Sequence, residues 1–181
     1  MDTQAHLPLN QAAADPPLVM LFRHNLWANL RLLDACAALD EEQLAATIPG
    51  TYNTIHKTLN HIVWSEEQYL SDLTGREPES RLWSAGGPVL VDVARLRAMA
   101  QQNGQGLMDV AAGAAAGEVV ILEGDGLRWH TPVGLILTQA INHATEHRAQ
   151  IMVILTQLGL EPPDVSGWAF SQEFVRPISI E

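Results

Sequence analysis

The sequence predicts an all-α four-helix bundle, and three observations carry the prediction. Four stretches repeat apolar residues with a helical period. One long connection, Gly75 to Pro88, is able to cross the end of a bundle. The β-rich segments are two short runs just before the last helical stretch, which predict a small hairpin there.

The first helix is announced by Asp15-Pro16-Pro17, because proline is tolerated in a first turn whose N–H groups lack partners. Its predicted stripe is Leu18, Leu21, Phe22, Leu26, Leu33 and Cys36. Cys36 therefore reads as a small buried apolar residue and not as a reactive thiol. Asn25 and Asn29 point along the same stripe, as satisfied core amides or as groups lining a cavity. After the Pro49-Gly50 loop, a second helix is expected from about Thr54 to Leu73, with Gly75 as its stop. It uses Ile55, Leu59, Ile62, Tyr69, Leu70 and Leu73.

A third helix follows from about Asp92 to Ala115 on Val93, Leu96, Ala100, Leu107 and Val110. Gly104 and Gly106 should weaken its middle by roughly 1 kcal/mol each relative to alanine. Val119–Leu122 and Leu127–His130, separated by Gly124-Asp125-Gly126, predict the hairpin. Thr131 as N-cap and Pro132 at the first helical position then open a fourth helix reaching Leu158, stopped by Gly159. The expected organisation is a flexible arm over residues 1–17, the bundle over 18–163, and a tail over 164–181. The tail carries Trp168, Phe170 and Phe174 and should pack on the bundle.

Composition narrows the function. With 181 residues and 47% hydrophobic content, the chain suits one domain with a sizeable core. Its net charge is −11, from 21 acids against 10 bases, with no basic run; phosphate-backbone binding is not expected, and neither is an anionic membrane surface. The purely apolar stretches are too short to span a bilayer. Cys36 is the single cysteine, so no internal disulfide framework exists. Met1 to Pro17 lacks both the basic region and the apolar core of a signal peptide, so a cytoplasmic location is expected.

The fourth helix carries the chemistry. Its stripe is Val133, Ile136, Leu137, Ala140, Ala144, Ile151, Ile154, Leu155 and Leu158; His147 falls inside it and His143 on its edge. Spaced i, i+4, the two imidazoles sit on one face about 6 Å apart along the axis, where their nitrogens can converge on one ion. A metal would also satisfy two imidazoles that otherwise need separate partners within an apolar stripe. The pair alone is weak evidence and favours two histidines satisfied separately or partly exposed, so a third ligand from another helix is required. Of seven histidines, His6 lies in the arm and His24 opposite its helix's stripe, where solvation is expected. His56 and His130 lie near helix starts. His61, mid-helix on the flank of its stripe, is the best remaining candidate. Glu146 projects off the stripe, and Arg148 suits a structural ion pair or a cap. No Glu-x-x-His, Cys-x-x-Cys, His-Glu-x-x-His, Ser/His/Asp set, phosphate-binding glycine loop or paired carboxylate competes.

Several of these residues stand in a recurring pattern. Trp27-Ala28-Asn29, the run Ile55-His56-Lys57-Thr58-Leu59-Asn60-His61-Ile62, Asn142-His143-Ala144-Thr145-Glu146-His147-Arg148-Ala149-Gln150, and the exit Leu158-Gly159-Leu160-Glu161-Pro162-Pro163 together resemble the DinB-like (DinB/YfiT) superfamily. The resemblance runs from about Leu18 to Pro163. It implies an up-down-down-up bundle holding a divalent metal, nickel or zinc first and iron or manganese after them. Carried onto this chain, the ligands it implies are His61, His143 and His147.

Relatives include bacillithiol transferases and mycothiol-dependent maleylpyruvate isomerases, which use a low-molecular-weight thiol. The expectation is a metal-dependent enzyme that activates such a thiol, or water, for transfer to or hydrolysis of a small electrophile. Its partner is thus a small-molecule substrate, with no nucleic acid and no membrane involved. The competing expectation is a non-catalytic metal- or ligand-binding stress-response protein. A homodimer is expected, as is common for such bundles, with exposed apolar residues to serve it.

Overall fold

Six helices and two short hairpins make up the described part of the chain. The structure is a computed structural model and describes residues 15–78, 82–84 and 87–173. The elements run α1 (Pro17–Cys36), α2 (Glu41–Leu44), α3 (Ile55–Thr74), β1 (Trp83–Ser84), β2 (Gly87–Pro88), α4 (Val93–Gly113), β3 (Val119–Gly124), β4 (Leu127–Pro132), α5 (Val133–Gln157) and α6 (Gly167–Ser171). The four long helices α1, α3, α4 and α5 form the bundle. No described helix is long and apolar enough to cross a membrane.

Side-chain pairings fix the helix directions. Arg97 meets Asp34, and Gly104 lies against Leu26, so α4 runs antiparallel to α1. Asn103 bonds the Val63 carbonyl, and Gly106 lies against Leu70, so α4 runs parallel to α3. His61 meets His143, and Tyr52 near the start of α3 meets Gln150 further along α5, so α3 and α5 are antiparallel. The order is up-down-down-up.

The helix ends follow the sequence chemistry. Thr54 caps α3 by accepting from Lys57 N, and Asp92 caps α4 by accepting from Arg95 N. Gly75 closes α3 in the left-handed conformation at φ 68°. The α5 exit is a Schellman turn: Leu160 N bonds Leu155 O and Gly159 N bonds Thr156 O, with Gly159 at φ 74°.

Several expectations require correction. Gly104 and Gly106 are packing residues: a Cβ at either would come within 2.6 Å of Leu26 or Leu70. They let α4 approach both neighbours, which offsets the propensity cost. The hairpin turn is Asp125-Gly126, both at positive φ (49° and 73°), a two-residue turn whose twist matches the strands; Gly124 belongs to β3. Thr131 and Pro132 pair with Val120 and Val119 in β4, so Pro132 becomes the N-cap and the helix starts at Val133. Leu21 and Leu158 are exposed, while Val19, Ala28 and Leu32 fill the α1 face instead. The short α2 adds a helix beyond the four expected, held at its start by a full capping box of Asp40 and Gln43.

In the tail, Phe170 is buried against α1 and Trp168 is exposed. Phe174 lies outside the described residues, as do residues 1–14 of the expected arm.

Two apolar clusters stack along the bundle. One gathers Leu32, Leu33, Cys36, Ile55, Leu59, Ala100, Ile151 and Leu155. The other gathers Val19, Phe22, Leu26, Leu107, Val133 and Leu137. The pairing of early α1 with early α5, and of late α1 with late α5, makes these two helices parallel. Cys36 is fully buried, and burial pushes its thiol up to about 12, as expected of a packing residue.

Candidate metal centre

Polar residues collect on α1, α3 and α5 between the two clusters. Position 147 lies on the buried stripe of α5 between Ala144 and Ile151, and position 143 lies one turn earlier. His61 reaches them from α3. The structure brings these three histidines together: His143 Nε2 lies 3.0 Å from His61 Nε2, and one ring nitrogen from each residue falls within 4.8 Å of the others. His147 is buried, and the other two are half-buried. Among the described residues this is the group of histidine, cysteine and carboxylate side chains able to hold a metal ion.

The donor chemistry fits a divalent ion. Burial, with the neighbouring His143 and His147 adding to it, pushes His61 down to about 4. Burial, then His147, pushes His143 to about 4 against the opposing pull of Glu146. Both imidazoles are therefore neutral near pH 7, as ligation requires. The Nδ1 atoms of His61 and His143 are buried without a hydrogen-bond partner.

Aromatic rings surround the cluster. Tyr52 stacks on His61 at 4.3 Å between centroids and turns its ring against His147 at 4.9 Å. Trp64 lies 6.0 Å from His61, and Tyr69 lies 5.9 Å from His143. Tyr52 is 47% exposed and marks the solvent side.

The other candidates separate cleanly. His24 is held by the C-terminal segment: its Nε2 contacts Val165 O at 2.9 Å and its ring packs on Phe170, so the expected solvation is wrong. A segment distant in sequence covers it. His56 bonds the Val91 carbonyl, and His130 is exposed on β4. Glu146 is exposed. Asn25 and Asn29 are satisfied core amides, deciding that alternative.

The asparagines belong to a buried network that sequence reasoning missed through its central residue, Glu66. Asn25 and Asn29 each donate to Glu66 Oε1 at 2.7 Å. Arg148 Nη1 donates to the Oδ1 atoms of both asparagines, at 2.7 and 2.6 Å, and Nη2 donates to Thr145. Arg148 thus reaches the carboxylate through two amides, and not by the direct ion pair or cap expected of it. Glu66 is 1% exposed, and burial drives its carboxyl up to about 7 against the lowering effects of Asn25, Arg148 and Asn29. No local pattern in α3 announces this; Glu66 stands four residues from Ile62 and three from Val63, on the buried face, but a glutamate alone does not declare its partners.

The raised carboxyl has a measurable consequence. Folded Glu66 keeps its proton between pH 4.5, its ordinary value, and about 7, whereas the unfolded chain loses it. Stability contributed there is full at low pH and declines as pH rises through 7. Glu66→Gln should remove that decline, so the variant gains on the wild type by roughly 1–3 kcal/mol between pH 5 and 8. Urea unfolding of metal-free protein at both pH values measures it. His61 and His143 act in the opposite sense below pH 6.5 but equally in both proteins. A constant difference between the two proteins would show that Glu66 titrates normally.

The DinB family model matches residues 9–173. Among solved structures, a DinB-like protein from Bacillus cereus is similar with a TM-score of 0.59 and 20% identity, over 82% of this chain and 95% of that one. At that identity the likeness concerns the fold alone. No curated protein matches.

Proposed function

Because the chain belongs to the DinB family, we propose that His61, His143 and His147 hold one divalent metal ion, nickel or zinc first. We propose further that the protein is a metal-dependent enzyme transferring a low-molecular-weight thiol, or water, to a small electrophile. The observation that supports this reading is the convergence of three imidazole nitrogens from two helices within 4.8 Å. Three neutral ligands leave a divalent ion net positive with an open position, which lowers the pKa of a bound thiol or water and favours an anion such as thiolate.

The chain's own residues shape what can reach that position. Tyr52, Trp64 and Tyr69 supply aromatic walls that limit water around the imidazoles. The acidic surface opposes long-range attraction of an anionic thiol, so capture depends on the local site. Glu146, exposed but close enough to act on His143, is a candidate for exchanging a proton with solvent.

The test compares conjugation of a small electrophile by metal-loaded protein, metal-free protein and His147→Ala across several cellular thiols. Metal-dependent turnover with at least one thiol is expected. Equal rates in all three preparations for every thiol, with hydrolysis equally unaffected, would leave a non-catalytic binding protein as the better reading.

A further inference from the structure

Gln150, one turn beyond Arg148's neighbour His147 on α5, has no place in the function described so far. Its single oxygen Oε1 lies 3.0 Å from His147 Nδ1 and 3.0 Å from the backbone nitrogen of Tyr52. The Tyr52 N–H can only donate, so the atom facing it must be the amide oxygen and not the amide nitrogen. That oxygen can only accept, so His147 Nδ1 must carry the ring proton. The Nε2 lone pair is then the one free to bind. The same amide therefore sets the tautomer of one histidine and fixes the loop whose ring stacks on another.

We propose that Gln150 is a positioning residue that couples the three-histidine centre to the Tyr52 loop, so that binding a metal at His147 steadies Tyr52 over the site. The proposal rests on the reading of His147 as a metal ligand. His61 and His143 do not share this arrangement, since their Nδ1 atoms have no hydrogen-bond partner. His147 is thus the ligand whose orientation is set before an ion arrives, and a carbonyl on the far nitrogen also raises imidazole basicity. The coupling is reciprocal: whatever holds Tyr52 in place must also favour the metal-binding orientation of His147.

Gln150 is only partly buried, so its replacement should not disturb the core. The experiment measures Zn²⁺ affinity by competition with a chromophoric chelator, and hydrogen exchange at the Tyr52 amide with and without Zn²⁺. Wild type, Gln150→Ala and Gln150→Glu are compared, with circular dichroism confirming the helices. In wild type, Zn²⁺ should slow exchange at Tyr52. Gln150→Ala should weaken Zn²⁺ binding roughly 10–100-fold and, even when saturated, show no metal-dependent slowing at Tyr52. Gln150→Glu, which keeps an acceptor oxygen, should restore both. Unchanged affinity and slowing in Gln150→Ala would overturn the proposal, as would a glutamate variant that behaves like alanine. Wild type that binds no Zn²⁺ at all would instead overturn the metal reading, and this proposal with it.

Discussion

His147→Ala is expected to remove stoichiometric divalent metal from the protein while leaving the helical far-ultraviolet signal in place. The site has three candidate donors, and a two-imidazole remnant seldom retains an ion. The fold should survive because residue 147 belongs to neither apolar cluster. A ligand present at 100 times its dissociation constant stabilises the native state by about 2.7 kcal/mol. For a chain of this size, that raises the wild-type melting temperature by roughly 5–10 °C. His147→Ala and His143→Ala should each lose this metal-dependent shift. Metal analysis of untagged protein, paired with thermal melts before and after chelation, reads both effects. Metal content unchanged in either variant would sink the assignment.

Arg148→Ala should be the most destabilising substitution of a polar residue, costing about 3–5 kcal/mol. Arg148 is 3% exposed, and its guanidinium donates to Asn25, Asn29 and Thr145. Removing it strands two amide oxygens and takes away the positive charge that opposes the rise of the Glu66 carboxyl. Burial lowers the Arg148 pKa to about 10, with Glu66 opposing, so the group stays protonated at neutral pH. The double variant Glu66→Gln/Arg148→Ala should recover part of the loss, because it removes both ionisable groups together. Chemical denaturation of the four proteins in the cycle gives the coupling directly. A loss under about 1 kcal/mol in Arg148→Ala would mean that the network contributes little.

The sequence makes some of this architecture plain and hides the rest for physical reasons. Position 147 was readable because a histidine inside a run of Ala144, Ile151 and Leu155 breaks a periodic pattern, and periodicity is local. His61 was harder: it sits on the flank of its own stripe, and only its half-buried contact with α5 explains that placement. Glu66, Tyr52 and Gln150 escaped notice because their roles depend on which helices and loops meet. Tyr52 lies in the loop after Pro49-Gly50, where no repeat constrains a side chain. His24 was misjudged for the same reason, since the segment covering it begins more than a hundred residues later. By contrast, the capping box of Asp40 and Gln43 is legible in its residue spacing alone.

The polar belt between the two apolar clusters also indexes the helices along the bundle axis. Leucine and isoleucine faces are nearly interchangeable from turn to turn, so they alone tolerate sliding. A slip of α5 by one helical turn, about 5.4 Å, would carry Arg148 away from Asn25 and Asn29 toward aliphatic neighbours. The same slip would part His143 and His147 from His61. One set of buried hydrogen bonds therefore holds three helices at a single axial offset, and that offset is the one at which the histidines can meet.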